Sequence, residues 1–191
     1  EDYYTYQTQS IGRAGVGYIS DYTSNLTLVN TILHSDSSTQ PFAISNVYND
    51  AYSDRIISGD LSGEDPLNTS TYSAMQIGLG WKLNIQESLI PILINGVQHY
   101  VYMDADGTEH FFVNKGTEYV DEDGLGLTMT VFLDNSTFSY TCTMTDKQGN
   151  QKLFKNGKLF KIIDADGNTV QLIYNTSDGS SGGVYVPITM R

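Results

Sequence analysis

KLFKIIDADGNTVQLIY, residues 158–174, places two runs of alternating apolar and polar residues around the quadruplet Asp164-Ala165-Asp166-Gly167. Alternation with a period of two is the mark of a half-buried strand, and Asp followed closely by Gly between two such runs marks a hairpin turn. Two carboxylates one residue apart also fit a metal site or a catalytic acid pair. The choice matters because a near-copy, YMDADGTEHFF, occupies residues 102–112.

From residue 98 onward the chain is quasi-periodic: an alternating strand enters, an Asp follows, then two residues, a Gly, and another alternating strand leaves. The pairs are Asp104/Gly107, Asp121/Gly124, Asp146/Gly149 and Asp164/Gly167. Asp at the start of a turn accepts hydrogen bonds from backbone N–H groups two residues on, and Gly supplies a positive φ at little steric cost. Asn150 and Asn168, directly after their glycines, are expected to stay in the turn and cap the outgoing strand. In the last hairpin the sequence predicts one apolar face, with Leu159, the Lys161 stem and Ile163 set against Val170, Leu172 and Tyr174. A single hairpin is marginal in water, whereas hairpins laid side by side build a continuous sheet.

The remaining sequence agrees with an all-β fold, an antiparallel sheet or sandwich followed by stacked hairpins. Alternating runs recur at 25–33, 42–49, 98–103, 127–133, 138–145, 158–163 and 169–174. The chain holds 14 Tyr and 18 Gly, and no long window carries apolar residues at helical spacing. QESLIPIL, residues 86–93, has a weak helical pattern broken by Pro91. Two regions are expected: an N-terminal β region over 1–97 and hairpin repeats over 98–191. A long Ser-, Asp- and Gly-rich surface loop is expected over 48–75.

Charge excludes some partners. With 22 acidic against 10 basic residues the formal net charge is −12, so no basic stripe exists to meet nucleic-acid phosphates or an anionic membrane surface. No stretch reaches the roughly 20 apolar residues of a spanning helix. Lone Cys142 sits in the alternating run SYTCTMT and reads as a small strand hydrophobe. The nearest bases, His99 and His110, lie in strand-like runs without a nucleophile signature.

FKNGKLFKIIDADGNTVQLIYN resembles the repeat of the rearrangement-hotspot (Rhs) or YD-repeat family, with Phe154, Gly157, Leu159, Ile162, Asp164, Gly167, Asn168 and Tyr174 at the matching positions. DYTSNLTLVNT (21–31), NVYND (46–50) and GLGWKLN (78–84) are similar, in order, to the segment that precedes such repeats. Two departures stand out: Tyr174 is followed by Asn175 rather than Asp, and TDKQGNQKLF lacks part of the pattern. The resemblance implies the entry region of a repeat array in a large secreted or surface-attached protein, akin to animal teneurins. It implies a non-enzymatic role: scaffolding, enclosing a C-terminal toxin or other cargo, and contacting proteins. The implied partners are further repeats of the same longer chain and other proteins or glycans at the cell surface, and no cofactor. The open edge of the last hairpin is then expected to pair with the next repeat, or with a second copy when isolated.

Asp104, Asp106 and Glu109, or Asp121, Glu122 and Asp123, or Asp164 and Asp166, are oxygen donors suited to calcium, but the twelve-residue loop with a closing Glu is lacking. Paired carboxylates also suit glycoside hydrolysis, although turn acids are expected to face solvent, without the burial that raises a pKa. A carbohydrate-binding β module is the alternative function, with Trp81 either a sugar platform or a core anchor. GRAGVG at 12–17 lacks phosphate-loop spacing and reads as a bend. Asn25, Asn68, Asn135 and Asn175 each begin an N-x-[ST] sequon, which suggests secretion in a eukaryotic product.

Overall fold

The computed structural model describes residues 6–21, 24–35, 42–51, 53, 78–136 and 139–173. Most of the 48–75 stretch, together with Asn68, Tyr174 and Asn175, lies outside the described residues. The fold is all-β and every strand pairing is antiparallel. The first sheet runs β1 (Tyr6–Ser10), β2 (Val16–Ser20), β3 (Leu26–Ser35), β4 (Phe42–Asn49) and β5 (Trp81–Leu83), each strand beside the next. The GRAGVG segment forms the bend between β1 and β2, a single 3₁₀ turn at Gly12–Ala14.

The second sheet is a closed ring. Strands β6 (Ser88–Ile94), β7 (Val97–Met103), β8 (Glu109–Asn114), β9 (Tyr119–Asp121), β10 (Thr128–Asp134), β11 (Ser139–Thr145), β12 (Gln151–Lys155) and β13 (Lys158–Ile163) pair in sequence order, and β13 returns to β6. The result is an up-and-down barrel of eight strands, whose radius lets side chains fill the interior. Leu89, Tyr100, Phe112, Cys142, Phe154 and Leu159 fill it and are all but inaccessible to solvent. A last strand, β14 (Thr169–Gln171), pairs with β13 beyond the point where β6 diverges.

Closure was not foreseen from the hairpin pattern, and it depends on small details. The seam is short: Ser88 pairs with Lys158, Leu89 N–H donates to Gly157 O (2.8 Å), and Leu159 N–H donates to Glu87 O (3.4 Å). Pro91 is tolerated in β6 because the strand has already left β13 there, so its missing N–H breaks no ladder. A bulge in β13 supplies the bend. Phe154 faces Leu159 but Leu153 faces Lys161, which makes Phe160 the extra residue. Inward positions thereby change from Leu159 to Ile162, which pairs with Val170, while Ile163 faces Thr169. The single apolar face expected from Leu159, Lys161 and Ile163 is corrected by that one-residue insertion.

The two sheets exchange at residues 84–87, between β5 and β6. Residue 97, expected to end the first region, instead opens the second strand of the first barrel hairpin. That hairpin turns on Asn95-Gly96, and β12–β13 turns on Asn156-Gly157. All four residues have positive φ (52°, 79°, 47° and 79°), the two-residue arrangement favoured by strand twist. Neither pair belongs to the Asp-x-x-Gly series, so the period of the repeat concealed them.

Gly96 and Gly157 share a φ of +79° but not a neighbourhood: a Cβ on Gly96 meets nothing within 4 Å, and one on Gly157 meets Leu89 O at 2.7 Å. Gly96→Ala should cost about 1–2 kcal/mol, the left-handed penalty alone. Gly157→Ala should cost at least about 3 kcal/mol because the seam must also open. Urea denaturation of the two variants measures the difference, and equal losses would show that the seam contributes little.

Candidate functional site

Three of the four Asp-x-x-Gly turns are built alike. Asp104 Oδ1 accepts from the N–H groups of Asp106 and Thr108 (both 3.0 Å). Asp146 Oδ1 accepts from Gln148 and Asn150 (both 2.9 Å), and Asp164 Oδ1 from Asp166 (3.0 Å) and Asn168 (2.8 Å). In each, the glycine N–H, of Gly107, Gly149 or Gly167, donates back to the Asp carbonyl. Asn150 and Asn168 complete their turns by donating Nδ2–H to the remaining Oδ2 of Asp146 and Asp164 (both 2.7 Å). These amides, with the backbone donors, hold both carboxyls below the ordinary value. The Asp121 turn departs: its two carboxylate oxygens accept from Leu125 and Leu127 N–H (both 2.7 Å), and the loop closes by Asp121 N–H donating to Leu127 O rather than at Gly124.

The first turn differs in its surroundings. Position 108 is Thr rather than Asn, and Asp104 Oδ2 is taken by His110 Nε2 at 2.9 Å, while His110 Nδ1 lies 3.2 Å from Asp123 Oδ2. From the first sheet, Lys82, 0% exposed, donates Nζ–H to the carbonyls of Asp104 and Ala105 (both 2.8 Å). Asn49 donates Nδ2–H to Asp106 O at 2.9 Å and packs against Gly107. Strand pairing explains the convergence: Lys82 faces Val47, so it shares a sheet face with Asn49 two residues on. Next to this corner, Glu87 accepts from Tyr102 Oη–H and from Lys152 Nζ–H (2.8 and 2.9 Å), inside the barrel end.

Burial and mutual charge set these groups apart. Burial would raise Asp104, but the hydrogen bonds from His110 and Asp106 and the charges of His110 and Lys82 prevail and hold it at about 2. Asp106 moves the opposite way, to about 6, through burial and the neighbouring Asp104 carboxylate, against hydrogen bonds from Thr108. Burial lowers Lys82 to about 8 despite the attraction of Glu87, Asp104 and Asp106. His110 is raised overall: burial opposes its charge, but Asp104 and Asp123 favour it more. The expectation that turn carboxylates face solvent, without the burial that raises a pKa, is corrected at Asp104 and Asp106, where the first sheet covers the turn, and at Asp121, which is buried under its own loop.

The other singled-out residues are dispersed. Asp166 lies in the exposed last turn, and its backbone N–H serves Asp164. Among the described residues, no group of three or more His, Cys, Asp or Glu is arranged to hold a metal ion. Trp81 is half-buried on β5, tilted 52° against Tyr48 with ring centroids 5.5 Å apart. Cys142 is fully buried, and burial pushes its thiol up to about 12. His99 stacks on Phe111 at 5.4 Å and receives Asn114 N–H, away from the corner. Asn25 is committed to structure, donating to Asn49 Oδ1 and accepting Ala51 N–H, while Asn135 sits exposed in the β10–β11 turn.

Lys82, Asn49 and Glu87 were not singled out from sequence. A lysine in the run WKLNI carries no local signal of burial, since the carbonyls that receive its ammonium come from a turn more than twenty residues on. No protein-family model, no curated protein and no solved structure matches this chain.

Asp104 and Asp164 occupy equal turns in unequal settings. Asp104→Ala should lose about 3 kcal/mol or more, because it leaves His110 and Lys82 buried with less compensation. Asp164→Ala should shift the unfolding midpoint far less. Equal shifts in matched melts would mean that the buried corner adds nothing to the turn.

Proposed function

We propose that the chain is a non-enzymatic structural segment of a secreted or cell-surface protein similar to the YD-repeat family, which scaffolds or encloses other parts of the same protein and contacts further proteins. The observation that carries this reading is the turn built three times with the same atoms, at Asp104, Asp146 and Asp164. Residues that recur to satisfy backbone donors belong to an architecture; reacting groups need free lone pairs. A packed barrel interior is in keeping with that role. So is the buried joint, which ties the first sheet to the barrel.

Contact with other chains is supported by the barrel end opposite the Asp-x-x-Gly turns. In an up-and-down barrel alternate turns share an end, so the β6–β7 and β10–β11 tips lie on the same rim, across the ring from each other. They carry Leu93, Phe132 and Leu133, exposed by 75%, 70% and 61%. Large apolar side chains exposed on one rim suit contact with another protein surface. Leu93→Asp with Phe132→Asp should reduce self-association or pull-down of further repeats while leaving the melting temperature within about 1 °C. Unchanged association would remove this surface from the reading.

The array itself is tested by joining further Asp-x-x-Gly hairpins in frame after β14. Their strands should pair the open side of β14, raise the melting temperature by several degrees and suppress association. No gain in either would sink the repeat reading.

A second reading, a glycan-binding module, draws on the same barrel end rather than on Trp81. Tyr100 meets Tyr119 edge-on at 4.9 Å and Tyr140 at 6.4 Å, with Gln98 and Asn114 amides bonded to the Tyr100 and Tyr119 hydroxyls. Tyr119 and Tyr140, half-buried beside the Asn114 amide with Tyr100 packed behind them, suit a sugar. Glycan-array binding lost in Tyr119→Ala would favour this reading over scaffolding alone.

A further inference from the structure

We propose that the β7–β8 turn is a proton-operated joint between the first sheet and the barrel, gripped when His110 and Asp106 both hold their protons and loosened when both protons leave. The geometry is specific to this turn. His110 stands between two carboxylates from different loops, Asp104 at 2.9 Å and Asp123 at 3.2 Å, so a proton on its ring bridges the β7–β8 turn to the β9–β10 turn. The first sheet grips the same four residues through Lys82 on two carbonyls and Asn49 on a third. What alters the charge of the turn therefore alters the surface on which the sheet rests.

The groups around the pair come from every element packed there. His110 is faced by Asp104 and Asp123, and by the Tyr102 ring with its centroid 5.8 Å away. Behind Tyr102 are Glu87 and Lys152. Asp106 is faced by Asp104, by Thr108, whose Oγ1–H donates to it at 2.6 Å, by Lys82 across the joint, and by Tyr6 on β1. With both protons bound, two cations, Lys82 and His110, offset the Asp104 and Asp123 carboxylates. After both leave, one cation remains against three carboxylates in a partly buried corner. Repulsion there is screened less than between fully exposed charges.

The direction follows from linkage. His110 and Asp106 both bind protons more tightly in the folded chain, above ordinary values of 6.5 and 3.8. Their stabilisation is complete below those ordinary values and is lost as pH rises, through about 6 for Asp106 and through a value above 6.5 for His110. Asp104 acts oppositely: its contribution is present above 3.8 and lost as pH falls towards about 2. Lys82, lowered from 10.5 to about 8, adds stability with rising pH only above about 8. Between about pH 4.5 and 7.5 the first two dominate, so the joint weakens with rising pH.

The test is hydrogen exchange at pH 5.0 and 7.5 at constant ionic strength, read as protection factors corrected for intrinsic rates, together with melts of Asp106→Asn. Protection of the Trp81, Gly107 and Thr108 amides should fall about tenfold or more at pH 7.5, as one pKa unit of linkage requires. The seam amides of Leu89 and Leu159 should change little. Asn at 106 keeps an acceptor for Thr108 but cannot ionise, so the variant should melt higher than the parent at pH 7.5 and no higher at pH 5.0. A fall in protection spread evenly over joint and seam would overturn the proposal, and so would a pH profile of Asp106→Asn that parallels the parent.

Discussion

Almost everything in the second half of the chain hangs on a seam of a few backbone bonds. Eight strands that only followed one another could extend as a twisted open sheet, with one face wet and both edges free. Leu89 N–H on Gly157 O and Leu159 N–H on Glu87 O turn that sheet into a ring. Once closed, inward side chains from all eight strands meet one another, and Tyr100, Phe112, Phe154 and Leu159 lose contact with water. At roughly 25 cal/mol for each Å² of apolar surface removed, that burial outweighs the seam bonds many times over. The seam is weak by itself and decisive through what it permits.

Closure also decides where charge can reside. The ring points its Asp-x-x-Gly turns towards one end and its Asn-Gly turns towards the other. The first sheet meets the former end, with Phe42, Ile44 and Leu83 packing on the core cluster and Lys82 and Asn49 reaching the first turn. Lys82 is an expensive residue to bury, and two carbonyls with acidic neighbours compensate it. The polar corner thus fixes how the sheet sits, while the apolar contacts supply the adhesion.

Much of the fold was legible. The runs at 42–49, 98–103 and 158–163 became β4, β7 and β13 with little change at their ends, because period-two alternation is a local property. β6 was obscured by Pro91, whose cost depends on whether a neighbour needs its N–H. The bulge at Phe160 was invisible for a related reason: LFKII alternates plausibly on either side of an insertion, and only the partner strand reveals the extra residue. Of the corner, the acids were legible and their partners were not. Asp104 and Asp106 announce a turn through spacing, whereas Lys82 and Asn49 become partners only when two sheets meet.

The two DADG quadruplets show where the division falls. By itself the sequence determined the turn: Asp Oδ1 over two backbone donors and a glycine N–H on the Asp carbonyl, the same at 104–107 and 164–167, because those bonds span only a few residues. Tertiary structure alone decided what the acids are. At 164–167 the turn is exposed and Asn168 finishes its hydrogen bonds. At 104–107 a lysine, an asparagine and a histidine from three other strands close over it, and Asp104 and Asp106 part in opposite directions. Solvent and neighbouring charge set a proton's affinity, and both are properties of the assembled fold.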